Sequence, residues 1–299
     1  MEHYIKIFEP YYEEEKAMLY LADSFEAMKK MQRESVDMIF ADPPYFLSNN
    51  GISVQSGKRV SVNKGDWDKA KNLTEMHKFN RKWIRWSKKI LKPNGTIWIS
   101  GTFHNIYSVG MALVQEGFKI LNNITWQKNN PPPNISCRYF THSTETILWA
   151  RKDNYKAKHF FNYKLMKEMN GGKQMKDVWK DNQPKIFSEE DLKTTDTAIS
   201  NATVSAEDNL IDVWRGSLTG QREKKYGKHP TQKPIYLLQK IILASTQEND
   251  LVFDPFCGSA TTGVACKLLN RNFIGIDNEE KFLELSRERL IHADDYKNI

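Results

Sequence analysis

Short apolar runs separated by polar, helix-prone stretches set the rhythm of this chain. Runs rich in β-branched and aromatic residues fall at 18–21, 36–40, 96–99, 120–126, 146–149, 251–253 and 273–276, each about the length of one strand. Between them the spacing changes to that of helices. Phe79, Trp83, Trp86 and Ile90 recur at helical intervals before the stop signal Lys92-Pro-Asn-Gly95, and Leu237, Leu238, Ile241 and Ile242 follow Pro234 in the same way. Strands alternating with helices predict an α/β fold, a doubly wound and mostly parallel sheet. The pattern lapses from about residue 180 to 210, where Ser, Thr, Asp, Glu and Asn dominate; this reads as a polar surface insertion or part of a small recognition lobe. Asp177-Val-Trp179 before it is echoed by Asp212-Val-Trp214 after it.

Composition narrows the classes. A chain of 299 residues can bury a full core, and a net charge of +7 suits an anionic partner such as nucleic acid. The first twelve residues lack an apolar core segment and nowhere do 18 apolar residues run together, which leads to the expectation of a cytoplasmic protein without a membrane partner. Cys137, Cys257 and Cys266 form no C-x-x-C pair, so neither a zinc site nor a disulfide framework is expected. Reduced and mostly buried thiols are the expectation.

Two motifs carry chemistry. Residues 254–263, Asp-Pro-Phe-Cys-Gly-Ser-Ala-Thr-Thr-Gly, follow a strand and open a helix, a turn in which glycine lets a ligand approach backbone N–H groups. Asp277 ends the next strand, where dinucleotide-binding logic places a carboxylate on ribose hydroxyls. Together they imply an adenosine-type cofactor, with a plain helix cap as the other reading of Asp277. No G-x-x-x-x-G-K-[ST] occurs, which argues against a nucleoside triphosphate.

The second motif is Asp42-Pro43-Pro44-Tyr45, directly after the run 36–40. Its prolines fix the backbone and remove two N–H donors, leaving a carboxylate and an aromatic ring at the carboxyl edge of the sheet. An exocyclic amine conjugated to a ring is a poor nucleophile. Asp42 and the Pro43 carbonyl can accept its two protons and localise its lone pair, while Tyr45 stacks on a base turned out of its helix. The plainer alternative is a rigid turn with a capping Asp and a packed Tyr.

The order of these motifs resembles the β group of amino-DNA methyltransferases, in which the Asp-Pro-Pro-Tyr motif precedes the Phe-x-Gly cofactor motif in a circularly permuted arrangement. His229-Pro-Thr-Gln-Lys-Pro234 matches a third signature of that group, and the likeness runs through segments such as 98–101, 121–126 and 146–149. Within the group the chain resembles the second adenine methylases of DpnII-type restriction systems and, more distantly, the HinfI methylase. The resemblance implies a single Rossmann-like methyltransferase domain over 1–299 that uses S-adenosylmethionine (SAM) to methylate N6 of adenine in DNA. It assigns Asp42, Pro43, Pro44 and Tyr45 to catalysis. Asp254, Phe256, Gly258, Ser259 and Thr261 become the cofactor turn, Asp277 the ribose ligand, and Asp23 a residue near the cofactor adenine, where Asp23-Ser24 also reads as an ordinary helix cap. His229, Thr231 and Lys233 would line the methionine end, with Asp42 facing the cofactor too. Ala260 replaces the second glycine usual in the family's turn.

DNA is the implied partner, double-stranded or single-stranded, with GATC as the implied site and a homodimer as the implied assembly. N4 of cytosine and amines of RNA stay open as substrates, as does a silent nucleic-acid-binding protein. A basic face over 77–92 and the stretch Arg222, Lys224, Lys225 and Lys228 suit phosphates, or simply solvent. Residues 129–134 with 137–140 read as a loop for base contacts, and 47–66 as a mobile loop that orders over DNA.

Overall fold

The computed structural model describes residues 9–45, 72–129, 131, 133–134, 137–154, 156–180 and 219–297, with the backbone alone of 52–55 and 58–61. The polar stretch beyond residue 180 and the echo at 212–214 lie outside the described residues. Among these, β1 (Tyr12–Glu14), β2 (Ala17–Leu21), β3 (Val36–Ala41), β6 (Leu91–Gly101), β7 (Phe118–Gln127), β8 (Thr144–Lys152), β9 (Val178–Lys180), β10 (Leu251–Asp254) and β11 (Asn272–Asp277) form one sheet. Its order is β1-β2-β11-β10-β3-β6-β8-β7-β9. The run from β2 to β6 is parallel, and β8 lies antiparallel to both its neighbours.

Alternation along the strands decides what covers each face. Met18, Tyr20, Ile39, Ile97, Ile99 and Phe253 pack under α1 (Ser24–Lys30), α2 (Leu73–Ile90) and α3 (Ile106–Gln115). Leu19, Phe40, Trp98, Trp149, Val252 and Phe273 face α4 (Tyr163–Glu168), α5 (Ile235–Ser245), α6 (Thr261–Leu268) and α7 (Glu280–Ile291). The sheet is therefore doubly wound, as the alternation of runs predicts.

Three local expectations are corrected. The segment Lys92-Pro-Asn-Gly95 does not merely stop a helix; it is already strand, since β6 starts at Leu91 opposite Val36, with a register shift that accommodates the irregular segment. The backbone of β4 (Ile52–Gln55) and β5 (Lys58–Ser61) pairs antiparallel, so part of the expected loop 47–66 is a hairpin, and the rest lies outside the described residues. The basic face expected over 77–92 is not left to phosphate or solvent alone, since part of it is tied to the protein itself. Arg81 and Arg85 both bind Glu116, Lys88 donates to the Glu116 carbonyl, and Lys92 pairs with Asp37.

The chain leaves β3 toward β6 and leaves β10 toward β11, on opposite sides of the sheet. β3 and β10 are nonetheless neighbours, Val252 facing Met38 and Phe253 facing Ile39. Such a divergence opens a crevice at the carboxyl ends of the two strands.

Candidate active site

β3 is buried at almost every position, and its end delivers Asp42-Pro-Pro-Tyr45 into that crevice. Asn105 supports the turn from the start of α3, donating through Nδ2 to the Pro44 carbonyl at 3.3 Å. Asp42 is fully engaged. The Tyr45 hydroxyl donates to Oδ1 at 2.5 Å, and the Lys233 ammonium donates to Oδ2 and, at 3.0 Å, to the Tyr45 oxygen. Tyr45 and Lys233 are both buried. Burial and the nearby carboxylates of Asp42 and Glu145 push the Tyr45 phenol well above its ordinary value, so it stays protonated. Burial alone would lower Lys233, but Asp42, Tyr45 and Glu145 outweigh it and hold the ammonium well above its usual range.

The neighbouring strand end builds a different kind of structure. Asp254, 2% exposed at the end of β10, accepts from the Phe256 N–H at 3.0 Å and from the Thr262 hydroxyl at 2.6 Å, tying the turn to the start of α6. Gly258 (φ +53°) and Ala260 (φ 48°) both take the left-handed conformation. A Cβ on Gly258 would sit 3.0 Å from Cε1 of His229, so both the space and the backbone angle favour glycine there. Ala260 adopts the conformation that glycine would take more cheaply, and the turn closes nonetheless with its N–H on the Cys257 carbonyl at 2.8 Å. From behind, Ser286 donates to the Gly258 carbonyl at 2.7 Å, and the buried Arg289 guanidinium reaches Ser259 Oγ and Thr261 Oγ1 at 3.0 and 2.9 Å.

Asp277 closes the site from the end of β11. Its carboxylate accepts from the Gly258 N–H at 3.0 Å and from the Glu279 N–H at 2.9 Å, so it binds the turn and the approach to α7 together. Burial raises Asp277 to about 6 and Asp254 to about 7, against partial opposition from these hydrogen bonds. Asp23 caps α1, accepting from the Phe25 and Glu26 N–H groups. His229 packs edge-on against Phe282, with ring centroids 4.3 Å apart, and its Nδ1 lies 3.3 Å from the Thr231 N–H.

All the site residues expected from the sequence line one cavity of about 260 Å³. The sequence reading missed two kinds of residue. Phe25 and Phe79 (centroids 5.4 Å apart), with Phe256 6.2 Å from Phe79, make an aromatic wall beside Asp23; Phe79 had seemed only part of a helical stripe. Glu145 stands beside Lys233 at 3.6 Å, and no local motif marks it. Glu223, which interrupts the basic stretch 222–228, is buried, and its carboxylate accepts from the Ile235 N–H where Pro234 offers α5 no cap. Lys225 in that stretch pairs with Asp295. Of the three thiols, Cys257 and Cys266 are buried and Cys137 is exposed.

A mostly parallel sheet with a glycine turn after one strand, a strand-end carboxylate after its neighbour on one side and a proline-locked carboxylate after its neighbour on the other is the architecture of a Rossmann-like α/β enzyme of the methyltransferase class. A family profile described as "DNA methylase" matches residues 36–288. The chain is 59% identical over 281 residues to the type II methyltransferase M2.DpnII of Streptococcus pneumoniae, covering 94% of this chain and 92% of the relative. It has the same identity over the same length with M2.LlaDCHI of Lactococcus lactis subsp. cremoris, covering 94% and 91%. The crystal structure of an M1.HpyAVI–SAM complex superposes with a TM-score of 0.57 at 29% identity, over 92% of this chain and 98% of that one. The chain belongs to the DNA methylase family.

Proposed function

We propose that the protein methylates N6 of adenine in DNA, at a short specific site that its kinship suggests is GATC, as the modification arm of a restriction system. The observation that carries this reading is the meeting of Asp42 and the Gly258 turn in one cavity: an amine-holding carboxylate faces a backbone cradle that a Cβ would fill. The residues fit SAM. Asp277 would hold the ribose hydroxyls, Asp23 and the Phe25, Phe79 and Phe256 wall the adenine, and His229 and Thr231 the methionine end, with Phe256, Gly258, Ser259 and Thr261 shaping the turn.

When bound, SAM would supply an electrophilic methyl group on a cationic sulfur, which leaves as the neutral thioether. The chain prepares the amine for this. Tyr45 yields its place on Asp42 Oδ1 to an N6–H, and the Pro43 carbonyl accepts the other, so the lone pair points out of conjugation. Once released, the Tyr45 ring is free to stack on the base. Lys233 stays on Oδ2. The exposed side chains of Phe103, Tyr139 and Phe140, at the edge of the sheet where Gly101 ends β6, offer faces to neighbouring bases. Duplex DNA, a homodimer and a cytoplasmic location complete the reading; among the described residues no helix is long and apolar enough to cross a membrane.

The test is product identity. Purified protein is incubated with methyl-labelled SAM and DNA, duplex and single-stranded, with RNA in parallel, and the digested nucleosides are identified by mass spectrometry. The expected product is N6-methyladenosine from DNA, mapped to one short site. Label on N4 of cytosine or on RNA overturns the substrate, and SAM binding without transfer overturns the activity. Sedimentation at micromolar concentration checks the dimer.

A further inference from the structure

Glu145 is a buried carboxylate that no motif explains. It lies near the start of β8, and its two oxygens face two cations: Oε1 binds Lys128 and Oε2 lies 3.6 Å from Lys233. Lys233 holds Asp42 on its other side. Charges of alternating sign thus follow one another, Lys128, Glu145, Lys233, Asp42, with Lys233 the most buried at 8% side-chain exposure.

The arrangement has a chemical cost that needs a reason. Burying an ammonium away from solvent is unfavourable unless its charge is well matched, and one carboxylate would satisfy that need most cheaply by forming a tight pair. A tight Lys233–Asp42 pair would drain the acceptor strength of Asp42, the group that must take a hydrogen bond from the target amine. A second carboxylate draws the ammonium partly away. Lys233 thus faces two carboxylates, Glu145 being held on its other oxygen by Lys128, and it donates to the Tyr45 oxygen as well.

We propose that Glu145 is a positioning residue for methyl transfer: by sharing the Lys233 ammonium it fixes how firmly Lys233 grips Asp42, and so leaves Asp42 able to accept the amine. The proposal rests on the assignment of Asp42 to an amine. It acts through Lys233 and touches neither cofactor nor base.

Two measurements test it. In the first, Glu145→Gln keeps the shape and removes the charge; kcat at saturating SAM and DNA is expected to fall at least tenfold, while the SAM Kd from calorimetry stays within about threefold, and Glu145→Asp recovers part of the rate. A kcat within twofold of the parent, or a loss of SAM binding in step with kcat, overturns the proposal. The second needs no turnover. In urea unfolding of the protein without cofactor, Asp42→Asn and Glu145→Gln each leave Lys233 one carboxylate, whereas the double variant leaves it none. The unfolding constant of the double variant is expected to exceed the product of the single effects at least fivefold. Additivity within twofold would mean that the two carboxylates do not share Lys233. Should the parent transfer no methyl group to any nucleic acid, the functional reading fails, while this coupling still stands or falls by itself.

Discussion

The two halves of the site are built on opposite principles. Around Gly258 the groups are backbone: N–H donors and carbonyls locked by Asp254, Asp277, Ser286 and Arg289, every one of which is engaged before any ligand arrives. Around Asp42 they are side-chain charges and a phenol, joined by hydrogen bonds that an incoming amine can exchange. A rigid backbone cradle suits a ligand that must be held in one pose. An exchangeable network suits a base that must enter, react and leave.

The largest expected effect breaks the comparison on the catalytic side. Asp42→Ala should lower kcat by on the order of 10³-fold or more, as for other groups that stabilise a transition state, while the SAM Kd changes by less than about threefold. Equal losses in both would mean the halves are not separable. Asp277→Ala is the converse test. It removes the acceptor of the Gly258 and Glu279 N–H groups as well as the proposed ribose ligand, so calorimetry should show SAM binding weakened roughly 10- to 100-fold, in line with about 1.5–3 kcal/mol for charged hydrogen bonds. At saturating SAM, kcat should stay within a few-fold of the parent.

Acidity sharpens the contrast further. Asp254 at about 7 and Asp277 at about 6 lie above the ordinary carboxylate value because burial disfavours their ionised forms. Between pH 4 and 7 the native state therefore binds more protons than the unfolded chain, and stability falls as pH rises through that window. SAM affinity should run the other way, weakening as pH drops through about 6 and Asp277 gains a proton. Melting temperature without cofactor and SAM affinity from calorimetry, measured across pH 5 to 8, should move in opposite directions; parallel trends would remove Asp277 from the cofactor site. The smallest effect concerns Ala260. Glycine would relieve left-handed strain of about 1 kcal/mol, but it loses a buried methyl worth about 0.8 kcal/mol and adds freedom to the unfolded chain. Ala260→Gly should shift stability by less than about 1 kcal/mol and leave SAM affinity unchanged, and a larger loss in either would show that the methyl itself shapes the turn.

What the sequence made legible follows the range of the interactions. Period-two runs such as 36–40 and 273–276 became strands because burial on both faces leaves few other options for them, and the motifs at 42–45 and 254–258 declare themselves through residues adjacent in the chain. The pairing of Lys233 with Asp42 spans 191 residues. No local pattern announces that Lys233, expected at the methionine end, places its ammonium on Asp42. The partner of two α2 cations is hidden for the same reason: Glu116, which binds Arg81 and Arg85, lies beyond β6 and α3, out of reach of any reading of the helix alone. Phe25 could have been noticed, since it directly follows the cap Asp23-Ser24 at the end of a predicted strand.

The adjacency of β3 and β10 also governs how the protein comes into being. Asp37 accepts the Leu251 N–H across 214 residues of chain, so one edge of β3 has no partner until nearly the whole polypeptide exists. At a synthesis rate of about 5–20 residues per second, that wait lasts roughly 10 to 40 s. During it β3 can be covered by β6 on one side only, and the nascent chain carries its amine-holding motif without a cradle to present a methyl to it. The site is therefore completed late, after β10 and then β11 with Asp277 have joined the sheet.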